Sequence, residues 1–344
     1  MTISLDATYS VGDNLSGVGM YSRELLRGLA AEHPDQQFAF CYRPHRYLRS
    51  FAGRLPANCS RRLLHEPLFP RSREFFHGLN QRVPAIRFRK TVTTFHDLFV
   101  LTADYSTPEF KQRFREQAHR AAAQSDVIIT VSEFTATQVE ELLGVERARI
   151  HVVHHGANRL AMPGLAPVRE NLILNVGAIQ HRKNIARLVE AFERLPRDWK
   201  LVLAGSPGFG ADDILGRIES SPRRQKIQVL GYVTAEELGK WYARARVFAF
   251  PSLDEGFGMP VLEAMAAGVP VLASNRSALP EVCGDAALLV DPEDSDALYG
   301  ALARLCSDEH LTQSLIERGR RRAAEFSWKK AVEKTWNVYL GLLG

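Results

Sequence analysis

Two glutamates that lie eight positions apart, Glu255 and Glu263, flank a glycine-rich turn and the beginning of a predicted helix. Gly256 and Gly258 lack a side chain, so the backbone of the turn can approach a ligand closely. Pro260 suits the first position of a helix, where free N–H groups favour an anion. Because an ionised carboxylate accepts hydrogen bonds from hydroxyl groups strongly, the string predicts a site for a hydroxyl-rich, anionic ligand. The plainer alternative is a capping acid followed by an exposed helical glutamate.

A basic pair, Arg182 and Lys183, follows the short apolar run 172–176 and stands beside a predicted helix start. The planar guanidinium of an arginine and the point charge of a lysine can together neutralise a diphosphate. Adjacent basic residues are also common on solvated surfaces, and the pair alone leaves that alternative open. The neighbouring His181 is expected on the surface.

A second glycine-rich turn contains Gly17 and Gly19, follows the first apolar run and opens a predicted helix. Such a turn can hold a phosphate through its backbone N–H groups. The third glycine of the dinucleotide-binding fingerprint is missing, so a tight turn explains the pattern equally well.

His96 and Asp97 stand at the end of the predicted strand 91–95. A histidine next to an acid is a combination used in general acid–base chemistry. For a lone histidine the alternative is a structural side chain whose hydrogen bonds are satisfied inside the protein.

Two patterns that resemble metal sites are interpreted otherwise. Asp294 and Asp296 have the spacing of an Asp-x-Asp metal motif, but they precede an apolar helical pattern, so we expect helix capping. His154 and His155 have no cluster of further ligands around them in the sequence. The four cysteines form no CxxC pair, so neither a zinc site nor a disulfide framework is expected. No metal ligand is predicted.

The elements that must position these residues alternate between short apolar runs and helical patterns, as in parallel sheets with crossover helices. A helix with one apolar face is predicted between the first two strands. The predicted strands are 3–5, 38–41, 91–95, 127–131, 172–176, 200–204, 227–230, 247–250, 269–273 and 287–290. Ligands of open α/β sheets bind at the carboxyl ends of strands, and the candidate residues stand in loops of that kind.

Two segments indicate how the chain is divided. The stretch 156–169 carries two prolines and two glycines with little periodicity, which predicts an interdomain linker. The final segment predicts a helix that docks against a large apolar surface. Its apolar face consists of Trp328, Val332, Trp336, Tyr339 and Leu343.

Length and composition are those of a globular protein of two domains, with 344 residues, 45% hydrophobic and 24% charged. The N-terminal segment lacks a basic region followed by an apolar run, so no signal peptide is expected. No apolar run reaches the roughly 18 residues that span a bilayer. These features favour a cytoplasmic protein.

Positive charge is concentrated between Arg43 and Lys90. This block holds twelve Lys and Arg against two acids, a net charge of +10, whereas the remainder has 32 bases and 37 acids. Such a block suits lipid headgroups, phosphates or nucleic acid, and a solvated surface is the alternative. Nucleic acid is disfavoured because no recognised module accompanies the block. Five phenylalanines of the stretch are predicted either to insert at a membrane interface or to form core: Phe51, Phe69, Phe75, Phe76 and Phe88.

The string from Glu255 to Glu263 resembles the glutamate-x7-glutamate signature of the retaining glycosyltransferases of family four, and the resemblance covers nearly the whole chain. It implies that Glu255 contacts hydroxyls of a donor sugar and that Glu263 binds the nucleotide ribose. It also implies that backbone amides of the intervening turn help to hold the sugar and the phosphate. These amides belong to Phe257, Gly258 and Met259.

The same resemblance assigns roles to the other motifs. It implies that Arg182 and Lys183 bind the donor phosphates. Gly17 and Gly19 are implied to pack near the donor phosphate and the acceptor. His96 is implied to contact the donor sugar from the first domain, in an orienting or electrostatic role.

The fold implied by the resemblance is GT-B: two Rossmann-like, doubly wound α/β domains that face each other across a cleft. The N-terminal domain, 1–160, lies on the acceptor side. A linker, 161–170, leads to the nucleotide-sugar-binding domain, 171–325. A terminal helix, 326–344, crosses back to the first domain.

The implied reaction transfers a hexose from a nucleoside diphosphate donor to a hydroxyl of a glycan or lipid-linked acceptor. No cofactor or metal is required, because helix dipoles, Arg182 and Lys183 stabilise the leaving diphosphate. Similarity to bacterial mannosyltransferases of polysaccharide or O-antigen assembly favours GDP-mannose. A UDP-sugar donor, a sugar-nucleotide epimerase and a non-catalytic nucleotide-sugar-binding subunit are the alternatives. Peripheral contact with anionic lipid at the inner face of the plasma membrane is expected through residues 43–90.

Overall fold

The computed structural model describes residues 1–12, 14–65, 73–158 and 168–344. The chain forms two compact units. Unit 1 consists of residues 1–156 and 327–344, and unit 2 consists of residues 157–326. Unit 1 is therefore made from two chain segments that are separated in sequence by the whole of unit 2. Phe69 and most of the predicted linker 161–170 lie outside the described residues.

Unit 1 is built on a parallel sheet. Its described strands are β1 (Thr2–Asp6), β2 (Gln37–Tyr42), β3 (Cys59–Leu63), β4 (Phe75–Gly78), β5 (Lys90–Phe95), β6 (Val127–Thr130) and β7 (Ile150–Val152). They are arranged in the order β3-β2-β1-β4-β5-β6-β7, and every neighbouring pair is parallel. The four strands predicted in this half correspond to β1, β2, β5 and β6 and are confirmed. The sequence patterns missed the other three.

The helices in the first segment of unit 1 cover the sheet. They are α1 (Gly17–Glu32), α2 (Pro44–Tyr47), α3 (Phe99–Thr102), α4 (Pro108–Gln124) and α5 (Glu133–Leu143). Helix α1 begins where the Ser16 hydroxyl accepts a hydrogen bond from the N–H of Gly19, at 3.3 Å. Its buried face contains Tyr21, Leu25 and Leu29, as the apolar spacing predicts.

Unit 2 contains a second parallel sheet. Its described strands are β8 (Glu170–Val176), β9 (Lys200–Ala204), β10 (Ile227–Gly231), β11 (Ala245–Phe250), β12 (Val271–Ser274) and β13 (Ala287–Val290). The order is β10-β9-β8-β11-β12-β13. Each strand predicted for this half overlaps one of these six. The α/β class with two Rossmann-like units is confirmed.

The helices of unit 2 pack on both faces of this sheet. They are α6 (Ile185–Glu193), α7 (Ala211–Glu219), α8 (Ala235–Arg244), α9 (Met259–Ala266), α10 (Leu279–Cys283), α11 (Ser295–Ser307) and α12 (Glu309–Glu325). One continuous buried core lies between the sheet and several of these helices.

The last helix, α13 (Trp328–Leu343), belongs to unit 1. Val332 and Tyr339 are buried in the unit 1 core. The two helices α1 and α13 approach closely, since a Cβ at Gly28 would lie only 2.4 Å from Val332 Cγ2. Leu343, predicted on the buried face, is 37% exposed, and the preceding Leu342 packs against the core instead.

A buried chain of hydrogen bonds links α13 to the sheet of unit 1. The hydroxyl of Tyr339 lies 2.6 Å from His77 Nδ1, and His77 Nε2 lies 2.9 Å from the Thr94 hydroxyl. The Thr94 hydroxyl also lies 2.9 Å from the hydroxyl of Tyr21 on α1. Burial lowers the pKa of His77 to about 3, so its imidazole is neutral and serves as a bridge.

The phenylalanines of the basic block divide into two groups. Phe75 and Phe76 on β4 are fully buried, and Phe88 is nearly so, its ring tilted against that of Phe76 with the centroids 4.9 Å apart. For these three the core alternative is therefore correct and the membrane alternative is wrong, because their side chains fill the unit 1 core. Phe51 is 57% exposed and lies beside the exposed Leu48. In the described part of the chain, no helix is long and apolar enough to cross a bilayer.

Candidate active site

The strand order of unit 2 reverses between β8 and β11, so the loops that follow these two strands begin side by side. Open α/β sheets bind ligands at such a point. Two hydrogen bonds join the loops: the Leu253 N–H donates to the Arg182 carbonyl at 2.7 Å, and Arg182 Nη1 donates to the Asp254 carbonyl at 2.8 Å. The basic pair and the first glutamate are thus brought to one place by the fold.

Glu255 is a buried carboxylate that binds two cations. Arg182 Nη1 lies 3.1 Å from Glu255 Oε2, and Lys183 Nζ donates to Glu255 Oε1. The backbone N–H of Glu255 donates to the Ser277 hydroxyl at 3.0 Å. Lys183 is itself buried and stands 4.7 Å from the centre of the Phe250 ring. The solvated-surface interpretation of the basic pair is therefore wrong.

The charges in this cluster decide the ionisation of Glu255. Burial would raise the pKa of this carboxyl, but the opposing charges of Arg182 and Lys183 outweigh burial and lower the pKa to about 2. Glu255 is therefore ionised at neutral pH. Two cations and one ionised carboxylate thus lie together at this edge of the sheet.

The turn that follows Glu255 leads directly into α9. Gly258 precedes the helix with φ of 111°, a conformation that side chains rarely adopt, and a Cβ there would lie 2.7 Å from Leu279 Cδ2. The helix begins at Met259, one residue earlier than predicted, with Pro260 in its second position. Phe257 is buried and packs edge-on against Phe326 at 5.8 Å. The N–H groups at the start of α9 favour an anion.

Glu263 lies on α9 and is buried, not exposed as the plainer interpretation required. Asn158 Nδ2 donates to its Oε1 at 2.6 Å, and the Tyr242 hydroxyl donates to its Oε2 at 3.2 Å. Burial raises the pKa of Glu263 to about 7, and these two hydrogen bonds oppose that rise. Among the residues that the structure describes, the groups that shift the pKa of Glu263 include no cation, unlike those around Glu255.

His96 directly follows β5 in unit 1 and is buried. Its Nε2 lies 2.9 Å from the carbonyl oxygen of Leu79, which can only accept, so Nε2 carries the hydrogen and Nδ1 is the acceptor. Burial lowers the pKa of His96 to about 4, so the ring is neutral at pH 7. Tyr21 meets this ring edge-on at 4.7 Å, and His155 stacks on it at 5.4 Å. A neutral imidazole in a fixed tautomer suits orientation of a hydroxyl donor.

Gly17 and Gly19 lie in the first turn of α1, after β1. A Cβ at Gly19 would lie 2.7 Å from the carbonyl oxygen of Tyr9, so the close backbone contact alone accounts for this glycine. Gly17 begins the helix, where its N–H group is not used within the helix. The structure thus gives the motif a local reason, and a role of this helix start in binding a phosphate stays a prediction.

The structure also explains the patterns for which no role in binding a ligand or a metal was predicted. The Asp294 carboxylate accepts from the N–H groups of Asp296 and Ala297, which confirms helix capping. The side chain of His181 is 44% exposed and lies 3.3 Å from Asp213, in agreement with its expected surface position. Among the described residues, no group of three or more His, Cys, Asp or Glu side chains is placed to hold a metal ion.

Sequence reasoning missed the residues that surround Glu263 and His96. Asn158 stands 105 positions before Glu263, and Tyr242 stands 21 positions before it, so no local motif connects them. From the sequence, His155 was considered only as a metal ligand, and that role was rejected. No sequence pattern indicated that it packs against His96. Such contacts arise only from the tertiary fold.

Models of two protein families match the chain. The model of the glycosyl transferases group 1 matches residues 161–322. The model of glycosyltransferase family 4 matches residues 75–159. The two matches together take in both candidate glutamates, the basic pair and His96.

Individual proteins are also similar to the chain. The O-antigen chain mannosyltransferase B of Escherichia coli is 31% identical over 97% of this chain and 98% of that protein. The MMP alpha-(1→4)-mannosyltransferase of Mycolicibacterium hassiacum is 34% identical, but the aligned region is 66% of this chain and 56% of that protein. The structure of a sucrose-phosphate synthase from Thermosynechococcus elongatus superposes with a TM-score of 0.81 at 22% identity, covering 100% of this chain and 99% of that one. That last likeness concerns the fold alone.

Proposed function

Because the chain belongs to glycosyltransferase family 4, we propose that it transfers mannose from GDP-mannose to a hydroxyl group of a glycan or lipid-linked acceptor, with retention of the anomeric configuration. Membership makes the chain a glycosyltransferase, and its fold is GT-B. Two similar proteins are named mannosyltransferases, which supports mannose as the transferred sugar. The nucleotide, the stereochemistry and the acceptor are parts of the proposal.

The observation that carries the proposal is the buried cluster of Arg182, Lys183 and Glu255 at the switch point of the unit 2 sheet. A nucleoside diphosphate gains negative charge when the bond to its sugar breaks. Two cations and the N-terminus of α9 stabilise that charge more in the transition state than in the ground state, which lowers the barrier. In this proposal the protein's own cations take the place of a divalent metal ion.

The remaining candidates bind the rest of the donor. Glu255 accepts hydrogen bonds from hydroxyls of the sugar, and Glu263 accepts them from the ribose. The backbone amides of Phe257, Gly258 and Met259 hold the sugar and phosphate. Gly17 and Gly19 leave room near the donor phosphate and the acceptor, and His96 orients the sugar through its acceptor Nδ1.

The exposed part of the basic block supports contact with a membrane. The 3-10 helix Leu48–Ala52, which follows α2, exposes Leu48 and Phe51, and Arg49 and Arg54 of the same segment are also exposed. Exposed apolar side chains can insert at the interface of an anionic bilayer, and neighbouring arginines can bind its headgroups. We propose that this segment holds the enzyme at the inner face of the plasma membrane, next to a lipid-linked acceptor.

A ligand panel tests the donor. GDP, UDP, GDP-mannose and UDP-glucose are added separately, and the melting temperature is measured, since a ligand that binds only the folded state raises it. GDP and GDP-mannose are expected to stabilise the protein most. A response to the uridine nucleotides alone would identify the UDP-sugar alternative instead.

A transfer assay tests the reaction. Purified enzyme, GDP-mannose and membrane extract that contains lipid-linked glycans are incubated with and without EDTA, and the product is analysed by NMR. We expect a product with an α-linkage, formed equally well with and without EDTA. An inverted linkage or a strict need for added magnesium or manganese would contradict the proposal. Conversion of the nucleotide sugar without an acceptor would indicate the epimerase.

A further inference from the structure

The carboxyl group of Glu263 is held from both sides. Asn158 Nδ2 donates to one oxygen at 2.6 Å, and the hydroxyl of Tyr242 lies 3.2 Å from the other. Tyr242 is fully buried on α8. The backbone just before Asn158 is held by the N–H of Ala157, which donates to the carbonyl of Phe326 at 3.2 Å. Each oxygen of the carboxyl therefore has its own donor.

The number of acceptor positions on this carboxyl matters. An ionised carboxylate offers about four lone-pair positions, two on each oxygen. Asn158 and Tyr242 use one position on each oxygen and leave one on each. A vicinal diol presents two hydroxyl donors on adjacent carbons, which matches one remaining position on each of two oxygens of a single carboxylate.

We propose that Asn158 and Tyr242 are positioning residues for the nucleotide ribose. They hold the Glu263 carboxylate in the orientation in which both oxygens keep an acceptor position for the two ribose hydroxyls. This inference rests on the proposed function, in which Glu263 binds the ribose.

Two further observations support the inference. The Tyr242 hydroxyl also lies 3.1 Å from the carbonyl of Pro260 in the first turn of α9, so its single hydrogen is shared between two acceptors of the same helix, that carbonyl and the Glu263 carboxyl. Without donors, a buried carboxylate would be costly to keep ionised. The side-chain hydrogen bonds from Asn158 and Tyr242 lower the pKa of Glu263 against the effect of burial. The two residues thus favour the ionised form of the Glu263 carboxyl and the orientation in which it can accept hydrogen bonds from hydroxyls.

The test compares nucleotides with and without the ribose hydroxyls. Dissociation constants are measured by calorimetry for GDP and UDP and for their 2′,3′-dideoxy counterparts, with wild type, Asn158→Ala, Tyr242→Phe and Glu263→Ala. Asn158→Ala and Tyr242→Phe are each expected to raise the dissociation constant of the ribonucleotide by roughly five- to tenfold. The dissociation constant of the dideoxy nucleotide is expected to change by less than about twofold. A matched control, Asn171→Ala, removes an amide that bonds Asp198 and Arg246, and it should alter the affinity for neither nucleotide.

The outcomes separate this inference from the proposed function. If Glu263→Ala loses the preference for the ribonucleotide but Asn158→Ala and Tyr242→Phe keep it, the positioning role is overturned and the ribose assignment stands. Equal weakening of both nucleotides by the Asn158 and Tyr242 variants would also overturn it, because that is the signature of a purely structural role. If Glu263→Ala itself keeps the preference, the ribose assignment and the positioning role both fail. Should Asn158→Ala not fold, Tyr242→Phe decides alone, since it preserves the packing of the ring.

Discussion

Arg182 Nη1 and Glu255 Oε2 are 3.1 Å apart, and the same carboxylate also accepts a hydrogen bond from Lys183. Burying such an ion pair costs desolvation energy, so its presence at a ligand-binding edge calls for a functional reason. In the proposed function, the carboxylate holds the two cations in place before a diphosphate binds. It also competes with that diphosphate for them.

Glu255→Gln should bind free GDP at least as tightly as wild type and turn over at least about tenfold more slowly. The change removes the competing negative charge from the two cations but also removes an acceptor for the sugar hydroxyls. Calorimetry and a transfer assay measure the two effects separately. Glu293→Gln, which removes an exposed partner of Arg276, is the control. Loss of GDP affinity equal to the loss of turnover would show that Glu255 binds the nucleotide.

Arg182→Ala and Lys183→Ala should each lower kcat by at least about tenfold, because in the proposed reaction both side chains stabilise charge that grows in the transition state. Steady-state kinetics with GDP-mannose measures the change. His181→Ala serves as the matched control, since this neighbouring side chain points to solvent and pairs with Asp213. Nearly unchanged kcat in both variants would remove them from the mechanism.

The stability of the protein should depend on pH through Glu263. Its carboxyl has a pKa of about 7 in the folded chain against an ordinary value of 4.5, so the folded state holds the proton more tightly. The associated stabilisation is present below about pH 4.5 and is lost as pH rises towards about 7, by at most about 3 kcal/mol. Relative to wild type, Glu263→Gln should therefore gain stability between these values. Urea unfolding at about pH 5 and about pH 8 measures this, and a constant difference between the two proteins would contradict the assignment.

Tyr339→Phe should destabilise the protein by about 1–3 kcal/mol, because it leaves the buried Nδ1 of His77 without this hydrogen-bond partner. The ring and its packing are preserved, so the loss reports on the hydroxyl alone. Urea unfolding is the measurement. Tyr299→Phe is the control, because the Tyr299 ring is the part that contacts Arg194, at 4.0 Å. Equal effects of the two substitutions would mean that the buried chain adds nothing to stability.

Binding to anionic vesicles should depend on the exposed segment that follows β2. Wild type should sediment with phosphatidylglycerol-containing vesicles at low salt, less at physiological salt, and little with neutral vesicles. The double variants Arg49→Glu/Arg54→Glu and Leu48→Ser/Phe51→Ser should each lose this binding. Arg197→Glu/Lys226→Glu, which changes exposed charges of unit 2 by the same amount, should keep it. Failure of wild type to sediment at low salt would indicate a solvated surface.

The strands that the sequence patterns missed share a physical cause. β3 contains two arginines and lies at the edge of the sheet, so its side chains are half-exposed and its apolar signal is weak. β7, at the other edge, has three residues. β4 is fully buried, but its two phenylalanines follow a strongly basic segment. That setting suggested a surface role for them, when they fill the core beside β1.

The site was predictable where its residues are close in sequence. Glu255 and Glu263 share one string, and the basic pair follows a recognisable strand. The contact between Glu255 and Lys183 spans 72 positions, and the pairing of Asn158 with Glu263 spans 105. Neither was foreseen, because a sequence pattern records which face a residue occupies and not which distant side chain meets it.

The interrupted make-up of unit 1 has a consequence for how the protein is made. Helix α13 contributes Val332 and Tyr339 to the unit 1 core, yet the ribosome adds it only after residues 157–326. At roughly 5–20 residues per second, that interval lasts on the order of ten seconds or more. Unit 2 can close its own sheet during synthesis, whereas the nascent first sheet waits with the apolar surface around Gly28 uncovered. The order of translation thus leaves a window in which a chaperone, or another nascent chain, can reach that surface.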